Sequence, residues 1–402
     1  MNFTRFFSHP KEELTLILDI QSENVSGALV SFSNDGKPMI MAYQKDDIAF
    51  RKLTDSKFLT KAMLASLESV VNTLIMVNLP KLNHADGVRR KVRSTHLLLA
   101  PPWCMSQSKT VTLHYDKPTD VGKKEIDRVL ADQKKVLEDE YKKSSEADQS
   151  TYDVTFFEQK VLDIQCNGYS IKNIESVSVT NLSVSFVTSI TSSFFLEQIK
   201  VVLDKFMHGY KEYVHSSVLL EYTSLRDIYH SMNEYVLIRT LGELTDIIII
   251  KNGSCVNIAS FPCGSHTIAR KIARKLQLPT HNAYIYLKTG HQQSDIKIDG
   301  KISHYMDNVI KAWESLCVDT FKTIEQSTTI PRTWFHIGTE AQDIFLTSLK
   351  NAAEKIHGGG MEFTIITPDV SSAKEDVASS SSCGTVSDRM YLHVRSLEHL
   401  LS

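Results

Sequence analysis

No two of the six cysteines, Cys104, Cys166, Cys255, Cys263, Cys317 and Cys383, form a C-x-x-C pair. A cysteine-built zinc site and a disulfide framework are thereby excluded, and the thiols read as reduced and cytosolic. None of the 15 histidines belongs to an H-E-x-x-H, and no G-x-S-x-G occurs, so the zinc-hydrolase helix and the nucleophile elbow are both missing. An excess of one charge is missing too. The 45 basic and 47 acidic side chains leave a formal net charge of -2, too little field to draw the chain onto nucleic acid. The local run Arg89, Arg90, Lys91, Arg93 reads as a solvated loop. The first residues, through His9 and Pro10, lack the unbroken apolar core of a signal peptide, and the longest apolar runs fall short of a membrane span. The expected location is the cytoplasm.

At 402 residues the chain exceeds one ordinary core and should divide into two to four folding units. With 42% hydrophobic and 23% charged residues it has the mixture of a soluble globular protein. From Leu14 to Phe32 a β-type run, a polar turn at 21–24 and a second run over Val25 to Val30 follow one another, and after a turn at 34–36 Pro38 to Tyr43 reads as a third strand, which together predict a strand meander. Apolar residues at Met63, Leu64, Leu67, Val70, Val71 and Leu74 follow the i, i+3, i+4 spacing of a helix over 60–77. His96 to Ala100 reads as a short strand, and 119–141 as one long exposed helix running into a flexible loop at 142–150. Val154 to Ile164 and Val177 to Ile190 read as strands, and Leu196 to Phe206 as a helix. The strands Tyr235 to Ile238, Asp246 to Ile250 and Val256 to Phe261 then repeat the opening arrangement. The tail has a glycine break at 358–360, a strand at 361–366, a Ser-rich loop around 371–387, and a last strand and short helix at 390–401.

A strand entering a tight polar turn before a second strand lets backbone N–H groups converge on a phosphate, and two such hairpins facing each other form a clamp. The segment Leu18-Asp19-Ile20-Gln21-Ser22-Glu23-Asn24-Val25-Ser26-Gly27 resembles the first phosphate motif of the FtsA/PilM family of actin-like bacterial proteins. Arg239-Thr240-Leu241-Gly242-Glu243-Leu244-Thr245-Asp246 falls on the family's second, Asp-Ile-Gly-Gly-Gly-Thr-Thr-Asp. Further on, 282–290, with Lys288, is similar to the segment near the nucleoside, and His336-Ile337-Gly338-Thr339-Glu340 stands where the adenosine-loop glycines belong. The order of these segments covers nearly the whole chain.

The resemblance implies an α/β, ribonuclease H-like, two-domain nucleotide-cleft fold with an inserted α+β subdomain. It divides the chain into 1–94 for the first half of domain I, 95–190 for the insertion, and 191–234 for the return to domain I. Residues 235–270 and 333–402 would form the domain II core and 271–332 its outer subdomain. ATP and Mg2+ are the implied cofactors. Asp19, Gln21, Ser22, Glu23, Gly242, Glu243, Thr245, Lys288 and Gly338 are the implied nucleotide contacts, with Asp19 also holding the metal through water. The same residues have plainer readings: Asp19 caps a turn, Thr245 and Asp246 close a hairpin, and Lys288 is a surface lysine.

Several positions depart from the family pattern. Gln21 replaces a glycine, Arg239 an aspartate, Leu241 and Glu243 two glycines, and Tyr284 a glutamate. Glycines let backbone approach phosphate, and acids hold hydrated Mg2+, so both requirements are damaged. Glu243 would bring negative charge toward a triphosphate, and Arg239 positive charge that could partly replace the metal. By resemblance the chain is an assembly scaffold with weak or lost ATPase activity and no catalytic residue. It would bind an FtsZ-type tail or a PilN-type cytoplasmic peptide and its own copies, reaching the inner membrane through partners. A slowly hydrolysing, polymerising ATPase is the alternative, and a sugar-kinase-like enzyme a more distant one. The segment 391–402 has Arg395 as its one cation besides two histidines, which makes a weak membrane-surface helix.

Overall fold

The computed structural model describes residues 11–32, 37–49, 56–148, 154–171, 174–289, 300–338, 342–358, 360–381 and 383–401. The expected turn at 34–36 and the residues Gly290, Thr339, Glu340, Gly359 and Ser382 lie outside them.

The chain opens with β1 (Lys11–Ile20), β2 (Asn24–Ser31) and β3 (Met39–Asp47), the expected meander. Alternation decides their faces. Leu14, Leu16, Leu18 and Ile20 point to one core and Ile17 to another. A helical run follows as α1 (Ser56–Asn72), a π-helical turn (Thr73–Asn78) and α2 (Leu79–Asp86). By length and composition, residues 57–86 are long and apolar enough to cross a membrane, contrary to the expectation from the sequence. In the fold, its residues Met63, Leu67, Val70, Val71 and Leu74 are fully buried against the first sheet.

β4 (Arg89–Leu99) is longer than expected and includes the basic run. Arg90 is no solvated loop residue: 7% exposed, it pairs with Glu12 and Asp86. The insertion follows as β5 (Met105–Val121), α3 (Lys123–Asp148), β6 (Val154–Cys166), β7 (Tyr169–Ser170) and β8 (Val177–Ser192). Thus 105–121 is strand where the sequence pattern gave no strand, and the helix continues to Asp148 through most of the expected loop. Met105 pairs with Ile190, so the insertion leaves the domain beside where it enters.

α4 (Ser193–Leu203), β9 (Lys211–Ser216) and α5 (Ser217–Ile228) follow, and β9 extends the first sheet, which with the late strand β15 (Ala378–Ser379) is ordered β15-β3-β2-β1-β4-β9. Next come β10 (Tyr235–Thr240), β11 (Thr245–Lys251), β12 (Ser254–Phe261), α6 (Ser265–Leu276), α7 (Thr280–Thr289), α8 (Gly300–Glu325), β13 (Thr333–Ile337), α9 (Gln342–His357) and β14 (Thr364–Ile366). Their sheet runs β12-β11-β10-β13-β14. Both sheets therefore carry an antiparallel meander continued by parallel strands, the architectural repeat that the two hairpins predict.

The chain ends in α10 (Ser371–Asp376), β15 (Ala378–Ser379) and α11 (Asp388–Leu401). This segment corrects the expected 333–402 assignment. β15 pairs with β3, and Met390, Leu392, Val394 and Leu397 pack on the first sheet, so it belongs with domain I. Residues 390–401, expected as a strand and a short helix, all lie in α11. α5 and α11 pack together between the sheets, α5 against the second and α11 against the first.

Candidate functional site: two hairpin turns and a cleft

The β1–β2 turn and the β10–β11 turn face each other and touch. Ser22, fully buried, accepts a hydrogen bond at Oγ from the backbone N–H of Glu243 at 3.2 Å. Glu23 accepts from the hydroxyl of Ser265 and, at 3.4 Å, from that of Tyr284. Gly242 is required for this approach, because a Cβ there would stand 2.6 Å from Glu23 Cγ and 3.0 Å from Ser22 Oγ. The start of α6 closes the second turn from behind. The N–H groups of Ser265, His266 and Thr267 donate to the carbonyls of Leu241 and Gly242. Glu243 turns away from the first hairpin to a bidentate pair with Arg270.

Behind the turns lies a chain of buried charges. Arg239 is wholly buried in β10 and meets Glu221 at 2.7 Å, Asp246 at 3.2 Å and the hydroxyl of Ser217 at 2.7 Å. Arg389, at the start of α11, pairs with Asp19 at 3.1 Å and Glu221 at 2.9 Å. His393, one turn on, lies 3.9 Å from Asp19 and 3.6 Å from Glu221. Burial would raise the Glu221 pKa, but Arg239 and Arg389 overturn that and hold it down to about 2. Burial also dominates at Asp246, whose pKa stays above the ordinary value despite Arg239. At Arg389 burial opposes the charge, and Asp19 and Glu221 more than restore it.

A cavity of about 470 Å3 opens beside the turns, between the two domains. Of the residues singled out by the sequence, Gln21, Glu23, Lys288 and Gly338 line it. Asp19, Ser22, Gly242, Glu243 and Thr245 do not, although Asp19, Ser22, Gly242 and Glu243 form the adjoining turns and network. The Thr245 hydroxyl faces the domain II core, donating to the Cys263 carbonyl at 2.8 Å and accepting from Trp313 Nε1 at 3.0 Å. Gln21 donates to Asp19 at 2.6 Å. Lys288 Nζ lies 5.4 Å from the centre of the Tyr284 ring.

The fold implies Mg2+ and ATP, and the residues present do not fit them. Hydrated Mg2+ needs acids free to take its waters, whereas Oδ2 of Asp19 is engaged by Arg389 and Gln21, and its unpartnered Oδ1 is buried away from solvent. A triphosphate needs converging N–H groups, whereas those of Leu241, Glu243, Ser265, His266 and Thr267 bond within the protein. Among the described residues, no group of three His, Cys, Asp or Glu side chains is placed to hold a metal ion. Sequence reasoning missed Glu221, Arg270, Arg389 and His393. Arg239 inside an otherwise apolar strand was the available signal, since a buried guanidinium demands acids around it.

Glu23 gives a pH-dependent expectation. Burial, opposed by Ser265 and Lys45, lifts its pKa from 4.5 to about 7. The folded chain therefore keeps a proton that the unfolded chain releases. This contribution is present in full below pH about 4.5 and is lost as pH rises through about 7, an effect of up to about 3 kcal/mol. Glu23→Gln should flatten that decline and raise the melting temperature at pH 8, as read by thermal denaturation across pH 4.5 to 8. An unchanged pH profile would show that Glu23 is not protonated in the fold.

No family model and no curated protein matches the sequence. Solved structures do. A chain of a PilM-PilN type IV pilus biogenesis complex is similar with a TM-score of 0.61 and 12% identity, covering 96% of this chain and 98% of that one. Ethanolamine utilization protein EutJ from Carboxydothermus hydrogenoformans has a TM-score of 0.42 and 11% identity over 88% of this chain and 84% of its own. A Bacteroides thetaiotaomicron protein with an actin-like ATPase fold has 0.39 and 13%, covering 98% and 99%. The fold is actin-like, with two domains about a cleft.

Proposed function

We propose that the chain is an actin-like assembly protein of the PilM type that works by docking protein partners rather than by turning over nucleotide. The observation that carries this reading is the combination of whole-length similarity to a chain of the PilM-PilN complex with turns closed by the protein's own contacts. Affinity for a partner comes from a few well-packed contacts and can persist without a phosphate clamp. The partner in this reading is a PilN-type cytoplasmic peptide, which would bring the chain to the inner membrane from the cytoplasm. The apolar face of α11 is buried on the first sheet, so this helix is not itself a membrane-surface contact.

The insertion is the expected docking element. Because Met105 and Ile190 are paired neighbours, residues 105–190 can be removed and the ends joined by a short Gly-Ser linker. The shortened protein should remain folded by circular dichroism. It should lose at least ten-fold in affinity for a peptide copied from the cytoplasmic segment of a PilN-type protein of the same genome, measured by fluorescence anisotropy. If the full chain does not bind this peptide, the PilM-type reading fails. If the shortened chain folds and binds equally well, the insertion has no such role.

A further inference from the structure

One stretch of the chain carries charge of a single sign. From Gly264 to Thr289, which takes in α6 and α7, the sequence has five lysines and arginines and no aspartate or glutamate, in a chain whose acids slightly outnumber its bases. α6 sorts its residues by face. Ile268, Ala269, Ile272 and Ala273 are buried in the domain II core, and Arg270, Lys271, Arg274 and Lys275 lie on the side turned away from it. Arg270 is held by Glu243. Lys271, Arg274 and Lys275 are exposed, and among the described residues none of the three has an acidic partner. Lys271 Nζ lies 4.0 Å from Cys263 Sγ, and Lys275 Nζ lies 5.9 Å from the centre of the Tyr305 ring. The last turn of a helix favours cations such as Arg274 and Lys275. That preference explains neither Lys271 nor the absence of any neutralising acid on α7, which packs against α6.

What this face can bind follows from what it lacks. None of the exposed large hydrophobic side chains lies on α6, and Lys271, Arg274 and Lys275 do not line the interdomain cavity. A peptide or a folded partner needs a packed anchor, and lysine is depleted from protein interfaces. A layer of anionic lipid headgroups needs only charge, and each Lys or Arg held close to it strengthens binding about five-fold. The apolar side of α6 is in the core, so the helix would rest on headgroups without inserting. α11 cannot do the same, because Arg395, its one Lys or Arg beyond Tyr391, is paired with Asp376.

We propose that the outward face of α6, formed by Lys271, Arg274 and Lys275, is an electrostatic contact for an anionic phospholipid surface. Three cations strengthen binding about a hundred-fold in all, which is too weak to hold the chain alone and serves as one of the two signals that stable anchoring requires. The proposal stands apart from the PilM-type reading. Its test uses the full chain and lipid without any protein partner, so either can fail without the other.

Sucrose-loaded vesicles of phosphatidylcholine alone, and of equal parts phosphatidylcholine and phosphatidylglycerol, are sedimented with the protein at low salt. Partitioning onto the anionic vesicles should exceed that onto the neutral ones by about ten-fold or more, and it should vanish as salt is raised from about 0.05 M to about 0.5 M. The triple variant Lys271→Gln, Arg274→Gln, Lys275→Gln should lose about ten-fold or more of this binding while keeping its fold by circular dichroism. The variant Lys311→Gln, Lys322→Gln, Lys350→Gln makes the same change of charge at exposed lysines elsewhere in domain II and should bind like the wild type. If the α6 variant does not fold, Arg274→Gln alone should still lose about five-fold. The proposal is overturned by equal binding to neutral and anionic vesicles, by an α6 variant that binds undiminished, or by a control variant that loses as much. Binding of polyglutamate or a short DNA duplex at this face, with none to the vesicles, would assign it to an acidic macromolecule and not to lipid.

Discussion

Arg239→Met should lower the unfolding free energy by about 3–5 kcal/mol, the range seen when one partner is removed from a buried ion pair. The side chain is wholly buried and touches Glu221 and Asp246, both of which are also buried. Removing the guanidinium leaves two carboxylates facing each other with Arg389 as the main remaining cation. Methionine fills much of the volume, so the loss would come from charge rather than from a cavity. The double variant Arg239→Met, Asp246→Leu should recover part of the loss, because replacing both members of a buried pair by apolar groups costs far less than orphaning one. Urea denaturation of the wild type, the single variant and the double variant makes the comparison. A single-variant loss under about 1 kcal/mol would mean that Arg239 does not organise these acids.

Gly264→Ala should be comparably damaging for a steric reason. A Cβ at Gly264 would stand 2.1 Å from the Leu241 carbonyl oxygen and 2.6 Å from that of Gly242. Both obstacles are backbone, so the second turn or the start of α6 must move. Either movement breaks the hydrogen bonds from Ser265, His266 and Thr267 to these carbonyls, and moving the turn also breaks that from Glu243 to Ser22. The expected loss is about 3 kcal/mol or more, at the upper end for overpacking. Gly242→Ala is the informative companion. Its obstacles are the side chains of Glu23, Ser22 and His266, which can give way, so its loss should be smaller. Thermal denaturation of the two variants would show the order, and equal losses would mean that the turn yields as easily as side chains do.

The two hairpins were legible because their strands are short, apolar and bounded by turn residues, and the pairings from Ile20 to Val25 and from Thr240 to Thr245 fall where the pattern puts them. The strand β5 was not. Its residues alternate polar with partly buried positions and carry Lys109, Asp116, Lys117 and Asp120, and its stability comes from pairing with β8 across a long stretch of chain. α5 was equally hidden. It is buried on every side from Ser217 to Leu225 and so has no single apolar stripe.

At the site, the sequence showed that Arg239 and Glu243 break the phosphate pattern but not what the breaks are for. Glu243 serves a pair with Arg270 one helix turn inside α6. Arg239 serves a network completed by Glu221 and Arg389, residues far apart in sequence that only tertiary packing joins. Gly242 fits the family pattern for a glycine that admits phosphate, yet the observed neighbour is the other turn. A glycine reports a close approach without naming what approaches.

The central claim is that the chain's own side chains take the places where an actin-like cleft would hold a metal-bound triphosphate. The most direct test is to titrate the purified protein with Mg2+-ATP, following its melting temperature together with phosphate release. A closed clamp predicts no change in melting temperature up to millimolar nucleotide, because a ligand that does not bind the folded state cannot stabilise it, and phosphate release at background. A saturable rise in melting temperature with Mg2+-ATP, or turnover near 1 per second or faster, would contradict it.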